Sequence, residues 1–126
     1  MICIFYRGSC NSSKKTISWL EHYGVKVEKK RMSQLTAEDL IKILSLSDEG
    51  LDAVIKRSGR IGYKNRKTCA LLESMNFGEA IHYLLDNLDL LQSPLVLEGS
   101  KLMIGFNEDE IRKFLPKRYR RLKVLQ

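Results

Sequence analysis

The sequence predicts an α/β fold in which a small sheet is interrupted by an all-helical insertion. Three observations carry that expectation. An apolar run leads through a cysteine loop into a helix and a second strand; helical periodicity fills the middle of the chain; a hairpin pattern and a helix start close it. With 126 residues and an apolar share of 44%, the chain is sized for one domain with a modest core, not for disorder.

Each element has its own signal. "ICIFY" reads as a buried strand, and "FYRGSCNSSKKTISWL" passes through a short loop carrying Cys10 into a helix. Ile17, Trp19, Leu20 and Tyr23 have helical spacing, and Gly24 is the stop. "VKVEKK" alternates as a second strand does. Thr36 and Asp39 stand in a capping-box relation at the head of "TAEDLIKILSLS", which carries Leu40, Ile41 and Leu44 on one face. A turn at Gly50 and the short helix "LDAVIKRSG" follow, and "NRKTCALLESM" and "FGEAIHYLLDNLDLL" keep the helical period. "SPLVLEGSKLMIG" reads as a hairpin of Leu95–Leu97 and Leu102–Ile104. In "NEDEIRKFLP", Asn107 caps a helix, Glu110 sits at its third position, and Ile111, Phe114 and Leu115 form its buried face.

This order is that of a thioredoxin-like fold with a helical insertion. The chain is read as a single domain: 1–33 and 93–116 form the thioredoxin-like part, 34–92 the insertion and 117–126 a basic tail. Pro94 heads the third strand, where such folds commonly hold a cis proline facing the cysteine loop; the sequence leaves the isomer open.

The net charge of +7 is unevenly spread. Between Ala53 and Leu72 lie Lys56, Arg57, Arg60, Lys64, Arg66 and Lys67 without an acid, and the tail "KRYRRLKVLQ" adds five cations. Such blocks attract polyanions or acidic protein faces, or simply keep a domain soluble. There is no helix-turn-helix and no interleaving of aromatics with the basic run, so a base-reading or single-strand-binding protein is not expected. The run "MICIFY" is cut by Arg7 and is too short for a signal-peptide core, and no stretch approaches the ~20 apolar residues of a membrane span. A cytoplasmic location without membrane contact is expected.

Cys3, Cys10 and Cys69 form no CxxC and no metal spacing, which suits a reducing compartment. His22 and His82 stand apart as ordinary helix-face residues, and neither metal nor cofactor is implied. Cys10 differs, because a thiol at a helix N-terminus ionises more readily than the ordinary ~8.5. Ser13, one turn on, can donate to its thiolate, and Lys14 or Arg7 can add positive potential. Two readings stay open: a reactive thiol that takes a one-cysteine modification, or an inherited residue whose chemistry has lapsed. Cys3, expected to point into the core, and Cys69 are read as small buried apolar residues.

"IKILSLSDEGLD", "AVIKRSG", "SPLVLEG" and above all "GFNEDEIRKFLP" resemble the Spx branch of the ArsC/Spx family over roughly Ile2 to Arg121. The resemblance implies the thioredoxin-like fold and a transcriptional regulator, not an enzyme, acting under thiol or oxidative stress. Its implied partner is the C-terminal domain of the RNA polymerase α subunit, met through the helical insertion at Gly50 with Arg57 and Arg60 beside it. Promoter DNA phosphates in the polymerase complex and the ClpXP protease are further implied partners; the free protein is expected to be a monomer. The family's other branch holds arsenate reductases that depend on glutathione or thioredoxin, and a redox-inactive adaptor is a third alternative. Reductases of the family clamp the oxyanion with arginines. This chain has Ser93 where one precedes the proline, none in "LMIGFNE", and Arg57 at the remaining position. Its "CNSS" loop, with Ser13 in place of a second cysteine, departs from the usual Spx CxxC and is close to the reductase pattern. Ser93 departs from both branches.

Overall fold

In the computed structural model, which describes residues 1–55, 67 and 70–116, the opening apolar run forms strand β1 (Ile2–Tyr6). β1 runs parallel to β2 (Val27–Arg31) on one side and antiparallel to β3 (Leu95–Glu98) on the other. β3 pairs in turn with β4 (Lys101–Ile104), Val96 opposite Met103, giving the order β2-β1-β3-β4. A central strand is covered on both faces, which is why β1 reads as a continuous apolar run: Ile2, Ile4 and Phe5 are all buried. β2 lies at the edge, and its exposed Glu28, Lys29 and Arg31 discourage pairing with another chain.

Parallel pairing of β1 with β2 requires a crossover, and α1 (Asn11–His22) supplies it. The helix stops at Gly24, whose φ of 68° lets the N–H of Val25 reach the carbonyl of Leu20 and its own N–H that of Glu21, both at 3.0 Å. Leu20 is fully buried in a cluster with Ile2, Ile4, Val96, Met103, Ile111 and Phe114, with Ile17 and Trp19 at the margin. The Ser93–Pro94 bond before β3 is cis.

The last element departs from the expected helix. Asn107 does cap, its Oδ1 accepting from the N–H groups of Asp109 and Glu110 at 2.9 Å each, but only a 3-10 helix, Glu110–Phe114, follows. Pro116 sets where it stops: it disfavours the helical region for its predecessor, and Leu115 is extended at φ −78°, ψ 145°. The expected buried face survives in Ile111, Phe114 and Leu115.

The chain divides into two compact units, Met1–Gln34 with Ser93–Gln126, and Leu35–Gln92. In the second, α2 (Ala37–Leu46) opens on the expected capping box. Thr36 Oγ1 accepts from the Asp39 N–H at 3.1 Å, and Asp39 Oδ2 accepts from the Thr36 N–H at 3.0 Å. Its buried residues are Leu40, Ile43 and Leu44. Ile41 is 44% exposed, because the i, i+3, i+4 stripe begun at Leu40 passes it by. α3 (Leu51–Val54) is short, and α4 (Phe77–Asp86) starts from a second capping box, Asn76 with Glu79. Gln92 closes the unit: its N–H donates to the Val54 carbonyl at 2.7 Å, and its side-chain amide to the Ala53 and Ile55 carbonyls at 2.9 and 3.1 Å.

Candidate functional site

The loop between β1 and α1 places Cys10 as the N-cap residue of the helix, with extended backbone at φ −87°, ψ 119°. Its amide donates to the Arg7 carbonyl and its own carbonyl accepts from the Lys14 N–H, both at 3.1 Å. No acid occupies the first turn of the helix. Ser13 is fully buried, and its Oγ accepts from the Arg7 N–H at 3.2 Å, which ties the loop to the first turn. Thr16, also buried, donates to the Ser12 carbonyl at 2.8 Å.

Ser93 faces this loop from the residue before the cis proline. Its hydroxyl donates to Cys10 Sγ at 3.0 Å, and the Arg7 guanidinium donates to Ser93 Oγ at 3.3 Å. The protonated thiol can itself donate to the Ser93 carbonyl, at the longer 3.6 Å. Burial pushes the Cys10 thiol up. The Ser93 hydroxyl, then the Ser13 hydroxyl and the backbone amides of Ser13 and Ser12, outweigh it and hold the pKa below the ordinary thiol value. Among the described residues the site is therefore a thiol whose ionised form is favoured by hydroxyls and amides, with the Arg7 guanidinium behind the Ser93 hydroxyl.

Of the residues singled out in the sequence, Cys10, Ser13 and Arg7 come together here, whereas the Lys14 side chain is exposed. In the sequence Ser93 stands out only as a departure at the clamp position; its link to Cys10 spans 83 positions, and the one signal for it is its place before Pro94. Cys3 is half-buried and not disulfide-bonded. Strand alternation sets it on the face of β1 that carries the buried Phe5, opposite the clustered Ile2 and Ile4. His22 packs edge-on against Tyr23 at 5.1 Å, and His82 is an exposed residue of α4.

Gly50 lies in the helical unit as the N-cap residue of α3, at φ 63°, ψ −137°. It is half-buried, and among the described residues a Cβ built there meets nothing within 4 Å. Asp48, Glu49 and Asp52 around it are exposed. Arg57, Arg60, Cys69 and the tail 117–126 lie outside the described residues. Among the described residues no His, Cys, Asp and Glu side chains gather as a metal site, and no helix is long and apolar enough to cross a membrane.

Comparison with known proteins gives a consistent set. The model of the ArsC family matches residues 5–114. The global transcriptional regulator Spx of Streptococcus pneumoniae is 39% identical over 123 residues, spanning 96% of this chain and 90% of that protein. The protein of the same name from Staphylococcus aureus is 29% identical over 95% of this chain and 91% of its own length. Among solved structures, a chain described as ArsC-family-related from Bacteroides fragilis superimposes with a TM-score of 0.75 at 24% identity, covering 90% of this chain and 97% of that one. An arsenate reductase from Vibrio cholerae does so with a TM-score of 0.61 at 16% identity, covering 90% and 93%. At these identities the structural likeness concerns the fold, which is that of the ArsC/Spx thioredoxin-like proteins.

Proposed function

The chain belongs to the ArsC family, in its Spx branch, and we propose that it works in the cytoplasm as a Spx-like transcriptional regulator without enzymatic turnover. Its partner in this reading is the C-terminal domain of the RNA polymerase α subunit, and Gly50 is the centre of the docking face. The observation that carries the reading is the near full-length similarity to regulators named Spx. The open, side-chain-free turn at Gly50 supports it, since a partner backbone can approach there without displacing anything. In this reading Arg57 and Arg60 contribute cations to partner binding, and the basic block and tail meet promoter phosphates once the polymerase holds the protein in place.

Cys10 is the stress-responsive group, with Ser13 supporting it. A hydroperoxide converts the thiolate to a sulfenic acid, the distal oxygen going to sulfur and the other leaving as water or alcohol. A low-mass thiol then condenses with it, losing water to form a mixed disulfide. Ser13 leaves no second thiol in the loop to close an internal bridge. Ser93 in place of the arginine that precedes the proline in the family's reductases speaks against a reductase, because a multiply charged oxyanion needs a guanidinium clamp.

The test is a pull-down of the purified α C-terminal domain together with a glutathione- and glutaredoxin-coupled arsenate assay. Retention of the domain without arsenate turnover is expected; turnover without retention would overturn the reading. Intact mass after mild peroxide and glutathione checks the thiol: a single adduct on Cys10 is expected, and its absence ends the redox part.

A further inference from the structure

The hydroxyl of Ser93 has two neighbours of different character. A guanidinium carries only donors, so toward Arg7 the Ser93 oxygen accepts. The hydrogen of that hydroxyl is then left for the other neighbour, Cys10 Sγ at 3.0 Å. A hydroxyl free to rotate could point either way and serve thiol and thiolate alike. One whose lone pair is held by a cation is biased to donate, and a donor favours the charged sulfur.

We propose that Arg7 and Ser93 are positioning residues for Cys10: the guanidinium fixes the Ser93 hydroxyl as a donor, and that hydroxyl keeps the sulfur as a nucleophilic thiolate. The other cations near the loop do not do this. Lys14 is exposed, and Lys15 lies over the Phe106 ring at 4.9 Å. No carboxylate occupies the first turn of α1 to oppose the effect. The orientation also depends on the state of the sulfur. Once the thiolate becomes a neutral adduct, the hydroxyl loses its charged acceptor, and the contact that holds Ser93 to the loop weakens.

This inference rests on the reading of Cys10 as the responsive thiol, and the experiment separates the two. Alkylation of Cys10 by iodoacetamide is followed by mass spectrometry across pH in the full chain, with circular dichroism to confirm folding. Ser93→Ala is expected to move the midpoint up by roughly one pH unit and slow alkylation near neutral pH roughly tenfold. Ser93→Thr, which keeps the hydroxyl, restores the wild-type profile. Arg7→Gln moves the midpoint in the same direction by a smaller amount, and combining it with Ser93→Ala adds less than the sum of the single shifts. Superimposable wild-type and Ser93→Ala profiles would overturn the role of Ser93, and additive shifts would overturn the relay from Arg7. Failure of Cys10 to take a glutathione adduct would instead sink the redox part of the proposed function while leaving the positioning result intact.

Discussion

Ser13 carries more of the cysteine loop than its size suggests. It is fully buried, and its hydroxyl satisfies the Arg7 amide while supporting the Cys10 thiolate. Ser13→Ala leaves that amide without its partner and is expected to cost about 1–3 kcal/mol of unfolding free energy in urea. Cys10 makes stability depend on pH with a defined sign. Its thiol is lowered in the folded chain, so the ionised form is bound more tightly by the native state than by the unfolded one. Relative to Cys10→Ser, the wild type is expected to gain stability as pH rises from the folded thiol pKa to the ordinary ~8.5, to stay level above it, and to lose the gain as pH falls through the folded value. Urea midpoints at about pH 5.5 and about pH 9.5 check this; a difference that shrinks with rising pH contradicts it. At this scale the sequence was half legible. A thiol at a strand-to-helix junction announces itself, and so does a serine one turn on. Ser93 does not, because only the folded sheet brings β3 beside β1 and so carries Ser93 to the loop.

At the scale of elements, local signals with short reach were the readable ones. The Thr36–Asp39 box involves neighbours three apart and forms as read. Thr36→Ala is expected to lower stability by about 1 kcal/mol, measurable as a shifted urea midpoint with an unchanged slope. The closing element shows the limit of such signals: the asparagine cap and the buried face are legible, but that the turn is 3-10 and not α-helical is not. Ile41 shows the same limit: apolar residues at adjacent positions both look buried until the helix is anchored, and the stripe through Leu40, Ile43 and Leu44 decides against it. Gly50 joins two elements at φ 63°, where an L side chain is strained. Gly50→Ala and Gly50→Arg should therefore lose stability to a similar extent, roughly 1–3 kcal/mol, because the space around the position is empty and the backbone sets the cost. If arginine proves much more destabilising than alanine, the turn is not the open surface described above.

At the scale of the whole molecule, the order of strands and helices is legible because the strands differ in pattern: continuous and apolar for the central β1, strongly charged for the edge β2. Function is a different matter. The same fold serves proteins named as regulators and proteins named as reductases, so the thioredoxin-like frame alone does not choose between them. In the reading proposed above, the choice rests on near full-length similarity to regulators named Spx and on the glycine turn in the helical unit, since a readily ionised thiol suits either chemistry. The central claim is that this turn receives the polymerase. Titration calorimetry of the full chain with the purified C-terminal domain of the RNA polymerase α subunit, using wild type, Gly50→Ala and Gly50→Arg, tests it most directly. The account predicts saturable binding by the wild type, retained with alanine and lost with arginine. Equal binding by all three, or no heat from any of them, contradicts it.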